Sequence, residues 1–243
     1  MQHKVVSRDK WLIARKEHLA REKEITPLRD RLSAERRELP WVKVEKNYVF
    51  DTPGGKRTLS DLFDERSQLI VYHFMLGPEW EGCPSCSLLA DHFDGAALQL
   101  PHRDVTLLVV SRAPLPEIEA YKKRMGWGFP WVSSYGSDFN FDYHVSFRPD
   151  DIADSKVDYN YALLEFESDE MPGLSVFTKD AAGDIFHTYS AYARGLDILV
   201  GAYNFLDLVP KGRDEASLPW TMAWVRRHDE YVGAKPSAAC CGS

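Results

Sequence analysis

Apolar residues are sparse and regularly spaced over the first forty positions. Trp11, Leu12, Arg15, Leu19, Glu22, Ile25, Leu28 and Leu32 recur at three- and four-residue steps, among charges of alternating sign such as Arg21-Glu22-Lys23-Glu24. This spacing predicts a charged helix from about Ser7 to Glu38, with a solvated face supported by neighbouring ion pairs. Pro27 is expected to break or kink it after Ile25 or Thr26, because proline has no N–H to give. From Trp41 the period shortens. Val42, Val44, Tyr48 and Phe50 read as extended chain, Asp51–Lys56 as a Pro/Gly turn, and Leu59, Leu62 and Phe63 as a short helical turn.

The run Gln68–Leu76 is almost continuously apolar, the pattern of a strand covered on both faces. A helix is expected from Cys83 to about Leu100, and a second buried strand over Asp104–Ser111. Another helix follows over Pro114–Met125, with Leu115, Ile118, Tyr121 and Met125 on one face. Residues 126–158 are aromatic and irregular. Gly173–Thr178 and Asp184–Ser190 read as a hairpin turning through Lys179–Gly183, and Leu196–Leu208 as a last helix before Pro210 and Gly212. The order β-α-β-α-loop-β-β-α predicts an α/β fold, a mixed central sheet flanked by helices with parallel strands joined by right-handed crossovers. The expected organisation is an N-terminal helical extension (1–40), one domain (41–232) and a flexible tail (233–243).

Between the first buried strand and its helix lies Cys83-Pro84-Ser85-Cys86. Strand, short loop, C-x-x-C and helix is the local order of a thioredoxin-like redox site. Cys83 falls near the N-cap and Pro84 at the first helical position, where a missing N–H costs nothing. A sulfur beside the unpaired N–H groups of a first turn is stabilised as thiolate, the attacking form. Cys83 is therefore the candidate nucleophile and Cys86 the resolving thiol, exchanging through a mixed disulfide. A zinc site and inert packing are the competing readings. Zinc needs four ligands, and the other two cysteines, Cys240 and Cys241, sit side by side at the far end of the chain. Those two are a candidate second dithiol or soft-metal ligand pair, against the plainer reading of a tail without function.

Composition narrows the classes. The chain has 243 residues, 44% hydrophobic and 28% charged, as in ordinary globular proteins. No apolar run approaches the length of a membrane helix, and the first residues lack the apolar core of a secretory signal. A cytoplasmic location is expected, where structural disulfides are rare and a C-x-x-C leans towards catalysis. The net charge of −7 argues against nucleic acid as the main partner. The expected partners are a protein or small-molecule disulfide or thiol and an electron donor. No cofactor or metal is expected, and oligomeric state is open.

Further residues are candidates for accessory roles. Trp80 flanks the pair and either caps the core or docks a substrate. His73, on the preceding strand, is a candidate proton acceptor for Cys86, or a packed strand histidine. Arg112 closes the second buried strand, at the sheet end where α/β folds place ligands, and would hold a thiolate or an acidic group unless it forms a surface ion pair.

Several segments together resemble one known group. They are Leu39–Lys46, Tyr72–Met75, Gly82–Ser87, Ser111–Pro114, Met125–Trp127, Trp131–Ser134 and Phe186–Gly195. The group is a bacterial thioredoxin-like family of unknown function, related to the peroxiredoxin-type (AhpC/TSA) fold and labelled a predicted dithiol–disulfide oxidoreductase. The resemblance runs from about Lys4 to Tyr231 and implies a thioredoxin-like fold. Thioredoxins carry a buried carboxylate on the strand before the C-x-x-C, and this chain departs from them there, with Tyr72 and His73 and no acid. They also place a cis-proline before the third core strand, for which Pro172 is the candidate. Peroxide reduction is the alternative enzyme activity, but peroxiredoxins use a P-x-x-x-T/S-x-x-C loop, and Met75–Gly82 lacks that hydroxyl at the right spacing. A non-enzymatic module that binds soft metal or protein on the same fold is the third reading.

Overall fold

The structure, a computed structural model, describes residues 3–153, 156–165 and 168–231. The chain divides into two compact units, Met1–Pro40 and Trp41–Ser243. The first unit is one 30-residue helix, α1 (Arg8–Arg37). Ser7 caps it by accepting the Lys10 N–H, and Asp9 in the first turn and Arg36 and Arg37 in the last match the ends of the helix dipole. Arg15 and Glu22 pair at 2.7 Å along its side. The helix runs through Pro27 without ending, contrary to the expected break. About five turns of favourable residues precede the proline and outweigh one lost hydrogen bond.

The second unit is built on an eight-stranded sheet in the order β1-β10-β9-β4-β5-β6-β2-β3. Its strands are β1 (Val42–Lys43), β2 (Val49–Thr52), β3 (Gly55–Thr58), β4 (Gln68–His73), β5 (Val105–Ser111), β6 (Trp131–Ser133), β9 (Gly173–Lys179) and β10 (Ile185–Tyr192). A separate hairpin joins β7 (Val157–Tyr159) to β8 (Ala162–Leu164). The helices are α2 (Pro84–Ala90), α3 (Phe93–Gln99), α4 (Leu115–Met125), α5 (Phe139–Asp142), α6 (Pro149–Ala153) and α7 (Gly201–Leu206).

Strand β4 runs parallel to β5, and β5 to β6, while β9 lies antiparallel to β4 and to β10. The sequence β4-α2/α3-β5-α4, then β9-β10-α7, with sheet order β10-β9-β4-β5, is the thioredoxin-like fold. Strand β6 and the β2–β3 hairpin extend it on the β5 side. The expected single helix from Cys83 to Leu100 is two helices that part at Asp91–His92, and the expected last helix opens as a 3-10 segment (Ala193–Leu199). Among the described residues no helix is long and apolar enough to cross a membrane.

The sheet is buried on both sides. On one side Tyr72, Phe74, Val109 and Trp131 pack with Cys86, Leu89, Phe93, Ile118, Tyr121 and Trp127. On the other, Leu69, Val71, Leu108, Val110 and Phe177 meet Phe50, Phe63, Phe139 and Tyr143. The aromatic stretch from Trp127 to Tyr143 therefore feeds both cores. Phe141 is separate and lies beneath the Arg112 and Arg148 guanidiniums. A third cluster, around Val145, Phe147, Val157, Tyr159 and Tyr192, sits under the β7–β8 hairpin.

Candidate redox site

The loop after β4 continues the sheet's hydrogen bonding before it turns. Phe74 N–H donates to Val110, and Ala113 N–H donates back to Leu76. The chain then folds tightly through Gly77–Trp80, passes Gly82 at φ +78, and returns so that Cys83 N–H donates to the Met75 carbonyl at 3.2 Å. Position 82 has to be glycine. The backbone is left-handed there, and an added Cβ would lie 2.6 Å from the Tyr121 ring.

Cys83 is the N-cap of α2, with Pro84 at its first position. Its sulfur accepts the Cys86 N–H at 3.3 Å, and its carbonyl accepts both the N–H (3.0 Å) and the hydroxyl (2.9 Å) of Ser87. Cys83 is partly exposed and Cys86 is 2% exposed; both thiols are free. The Cys83 thiol is pulled down to about 7, first by a hydrogen bond from the Cys86 thiol, then by the N–H groups of Cys86 and Ser85 and the positive charge of Arg227, with burial opposing. Cys86 moves the other way, well above its ordinary value, because burial disfavours its charge and Cys83 competes for it. The two environments separate an ionisable outer sulfur from a protonated inner one.

The residue of β4 that reaches the pair is Tyr72. Its phenol hydrogen-bonds Cys86, and burial holds it far above the usual tyrosine range, so it serves as a donor and not as a base. Of the two readings of His73, its placement matches the packed strand histidine and not a proton acceptor for Cys86. Successive strand residues point to opposite faces, so His73 lies on the far side of the sheet, stacked on Phe139 with Nε2 2.9 Å from the Ser175 hydroxyl. Burial lowers it to about 3, which keeps it neutral.

Arg112 is also elsewhere. It binds Glu170 (2.5 Å) and Asp169 (2.9 Å) over Phe141, and compensates the buried Glu170 carboxylate. Pro172 does directly precede β9, but its peptide bond is trans: no cis bond occurs among the described residues. Its carbonyl accepts the Tyr159 hydroxyl at 2.7 Å, and Gly173 after it passes so close to Val145 that a Cβ would sit 2.7 Å from that side chain. Trp80, 37% exposed, lines an open groove with Glu81, Glu117, Tyr121 and Arg227. Cys240 and Cys241 lie outside the described residues. Among the described residues no group of three or more His, Cys, Asp or Glu is placed to hold a metal ion.

Three participants went unnoticed in the sequence: Tyr72, whose signal was its alternation with His73, and Tyr121 and Arg227. Arg227 comes from the segment before a 3-10 turn (His228–Glu230) and is 8% exposed. No local pattern connects it with the cysteines.

The fold and the dithiol together define a thioredoxin-like protein with a C-x-x-C pair at the head of a helix. Within that class, residues 1–231 match the family described as "Bacterial protein of unknown function (DUF899)", and the chain belongs to it. No curated protein matches the chain. Among solved structures it is similar to the peroxidoxin BcpB from Mycobacterium tuberculosis (13% identity, TM-score 0.42, covering 67% of this chain and 94% of that one). It is also similar to the bacterioferritin comigratory protein of Xanthomonas campestris (14% identity, TM-score 0.45, covering 69% and 96%).

Proposed function

We propose that the protein exchanges thiols and disulfides, with Cys83 as nucleophile and Cys86 as resolving thiol. The observation that carries this reading is the asymmetry of the pair: a partly exposed sulfur receiving hydrogen bonds from its own helix turn, beside a buried sulfur one turn further in. The Cys83 thiolate attacks one sulfur of a substrate disulfide, forming a mixed disulfide and releasing the first substrate thiolate. Cys86 then attacks the Cys83 sulfur, its proton passing to the second departing thiolate. The substrate gains two electrons and the protein is left as the Cys83–Cys86 disulfide, to be reduced by an external thiol donor. Tyr72 keeps its proton throughout and donates to Cys86 as charge develops there.

The test is turnover of a small aryl disulfide with a thiol donor, comparing the protein with Cys83→Ser. Loss of turnover is expected, and unchanged activity ends the proposal. Rapid-mixing with hydrogen peroxide separates the alternative: fast sulfenate formation at Cys83, outpacing disulfide exchange, assigns a thiol peroxidase instead.

A further inference from the structure

We propose that Arg227 is a positioning residue for the dithiol: its guanidinium, delivered from the far end of the chain, fixes the backbone immediately before Cys83 and so aims that sulfur. The inference rests on Cys83 being the nucleophile.

Arg227 is a buried cation that donates four hydrogen bonds from its guanidinium. Arg227 Nη2 donates to the carbonyls of Glu81 (2.8 Å) and Gly82 (2.6 Å), Nη1 to Glu230 (2.7 Å) and Nε to the Tyr121 hydroxyl (2.9 Å). Two successive carbonyls held by one nitrogen orient both peptides. The next N–H, that of Cys83, is thereby turned away from the guanidinium and onto Met75. A flexible ammonium cannot reproduce this, because the planar fork is what engages several acceptors in fixed directions.

A second route reaches the same residue. Ser87 gives its hydroxyl proton to the Cys83 carbonyl, so the Tyr121 hydroxyl must donate to Ser87 across their 2.9 Å contact. Tyr121 in turn accepts from Arg227 Nε. The proton order is therefore one-directional: Arg227 to Tyr121, Tyr121 to Ser87, Ser87 to the Cys83 carbonyl. Such chains polarise along their length. The backbone on both sides of the Cys83 sulfur is held by one cation.

The cation itself is anchored. Arg124 on α4 binds Asp229 (2.7 Å) and Glu230 (3.0 Å), and His228 meets Asp91 at the end of α2 (2.6 Å). The groups that face the Cys83 sulfur, or the guanidinium behind it, are accordingly Cys86 and the Ser85 and Cys86 amides from α2, Tyr72 from β4, Tyr121 from α4, Glu81 from the loop, and Arg227 with Glu230 from the C-terminal segment.

The experiment is the pH profile of Cys83 alkylation by iodoacetamide in the full-length reduced protein. Peptide mass spectrometry scores Cys83 apart from the other cysteines, in wild type, Arg227→Lys and Arg227→Gln. Folding is checked by near-ultraviolet circular dichroism. The thiolate content at pH 7 is expected to fall about threefold in Arg227→Lys, which keeps the charge but loses the fork, and about tenfold in Arg227→Gln, which loses both. Should Arg227→Gln fail to fold, the lysine variant decides alone. A folded variant whose alkylation profile superimposes on wild type overturns the proposal. Alkylation needs no turnover, so this result stands apart from the aryl disulfide assay: loss of turnover in Cys83→Ser with no shift in the Arg227 variants would sink only the role of Arg227.

Discussion

Tyr72 and His73 are neighbours in the chain, and they belong to different halves of the molecule. Tyr72 faces the core that contains Cys86, and its phenol donates to that sulfur. His73 faces the opposite core, where Phe139 stacks on it and Ser175 satisfies one ring nitrogen. Both are 1% exposed, and burial makes each hold its neutral form: the phenol by raising its pKa, the imidazole by lowering it. The lesson is that chemistry at this site depends on which side of one strand a group stands on. Histidine is the more versatile acid–base residue, and here it is the bystander.

The sharpest way to break the comparison is to interrupt the chemistry on the Tyr72 side at its endpoint. Cys86→Ser is expected to take multiple turnover of an aryl disulfide to background and to trap the substrate on Cys83, seen as an added mass that a strong reductant removes. A variant that still turns over would place resolution elsewhere. Tyr72→Phe removes a hydrogen bond to a sulfur that becomes charged, worth about 1.5–3 kcal/mol. Release from the mixed disulfide should slow about tenfold to a hundredfold, measured by quenched-flow mass spectrometry, with the initial attack by Cys83 little changed. A uniform loss in both steps would point to damage to the core instead of a role at Cys86.

The alkylation rate of Cys83 should rise about tenfold between pH 6 and pH 8, as expected for a thiol lowered to about 7. An ordinary cysteine would still be climbing steeply above pH 8. On the other face, His73→Phe is expected to leave disulfide exchange within about twofold of wild type, because no atom of His73 meets the dithiol. It should instead cost about 0.5–1.5 kcal/mol of stability near pH 7.5 by removing one of the two partners of the Ser175 hydroxyl, which keeps the Ser190 hydroxyl at 3.1 Å. The sign of its pH dependence is also set. With a folded value near 3 and an ordinary value of 6.5, neutral His73 contributes fully above about pH 6.5, and that contribution is lost as pH falls towards 3. Urea melts of wild type and variant should therefore converge on acidification, since only wild type carries this loss. Parallel curves would contradict the assignment.

Much of this was readable in the chain. The nearly continuous apolar run of β4, the C-x-x-C after it and Pro84 directly after Cys83 placed the dithiol at a helix start. The Lys179–Gly183 turn announced the β9–β10 hairpin. The same apolar run hid what mattered next: a strand buried on both faces shows no polar alternation, so Tyr72 and His73 looked equivalent. Counting by twos from Leu69 and Val71, which face the second core, would have separated them. Strand β6 was missed because three residues, Trp131–Ser133, are too short to carry a period.

Two arginines, Arg112 half-buried and Arg227 buried, show the deeper limit. Arg112 stands at a sheet end where ligands usually bind, and it is taken up by Asp169 and Glu170. Arg227 follows no motif and arrives from 145 residues beyond Gly82. Proximity of that kind comes from tertiary packing, which local spacing does not encode.

The missing side chain at position 82 sets how the pair must work. The loop backbone lies flush against the Tyr121 ring, with no room for even one methyl group. A peptide wedged there, directly before Cys83, has little room to shift towards the ring. In the proposed exchange, closing and opening a bond between the two sulfurs would fall to rotation about two short side chains, with the backbone before Cys83 left in place.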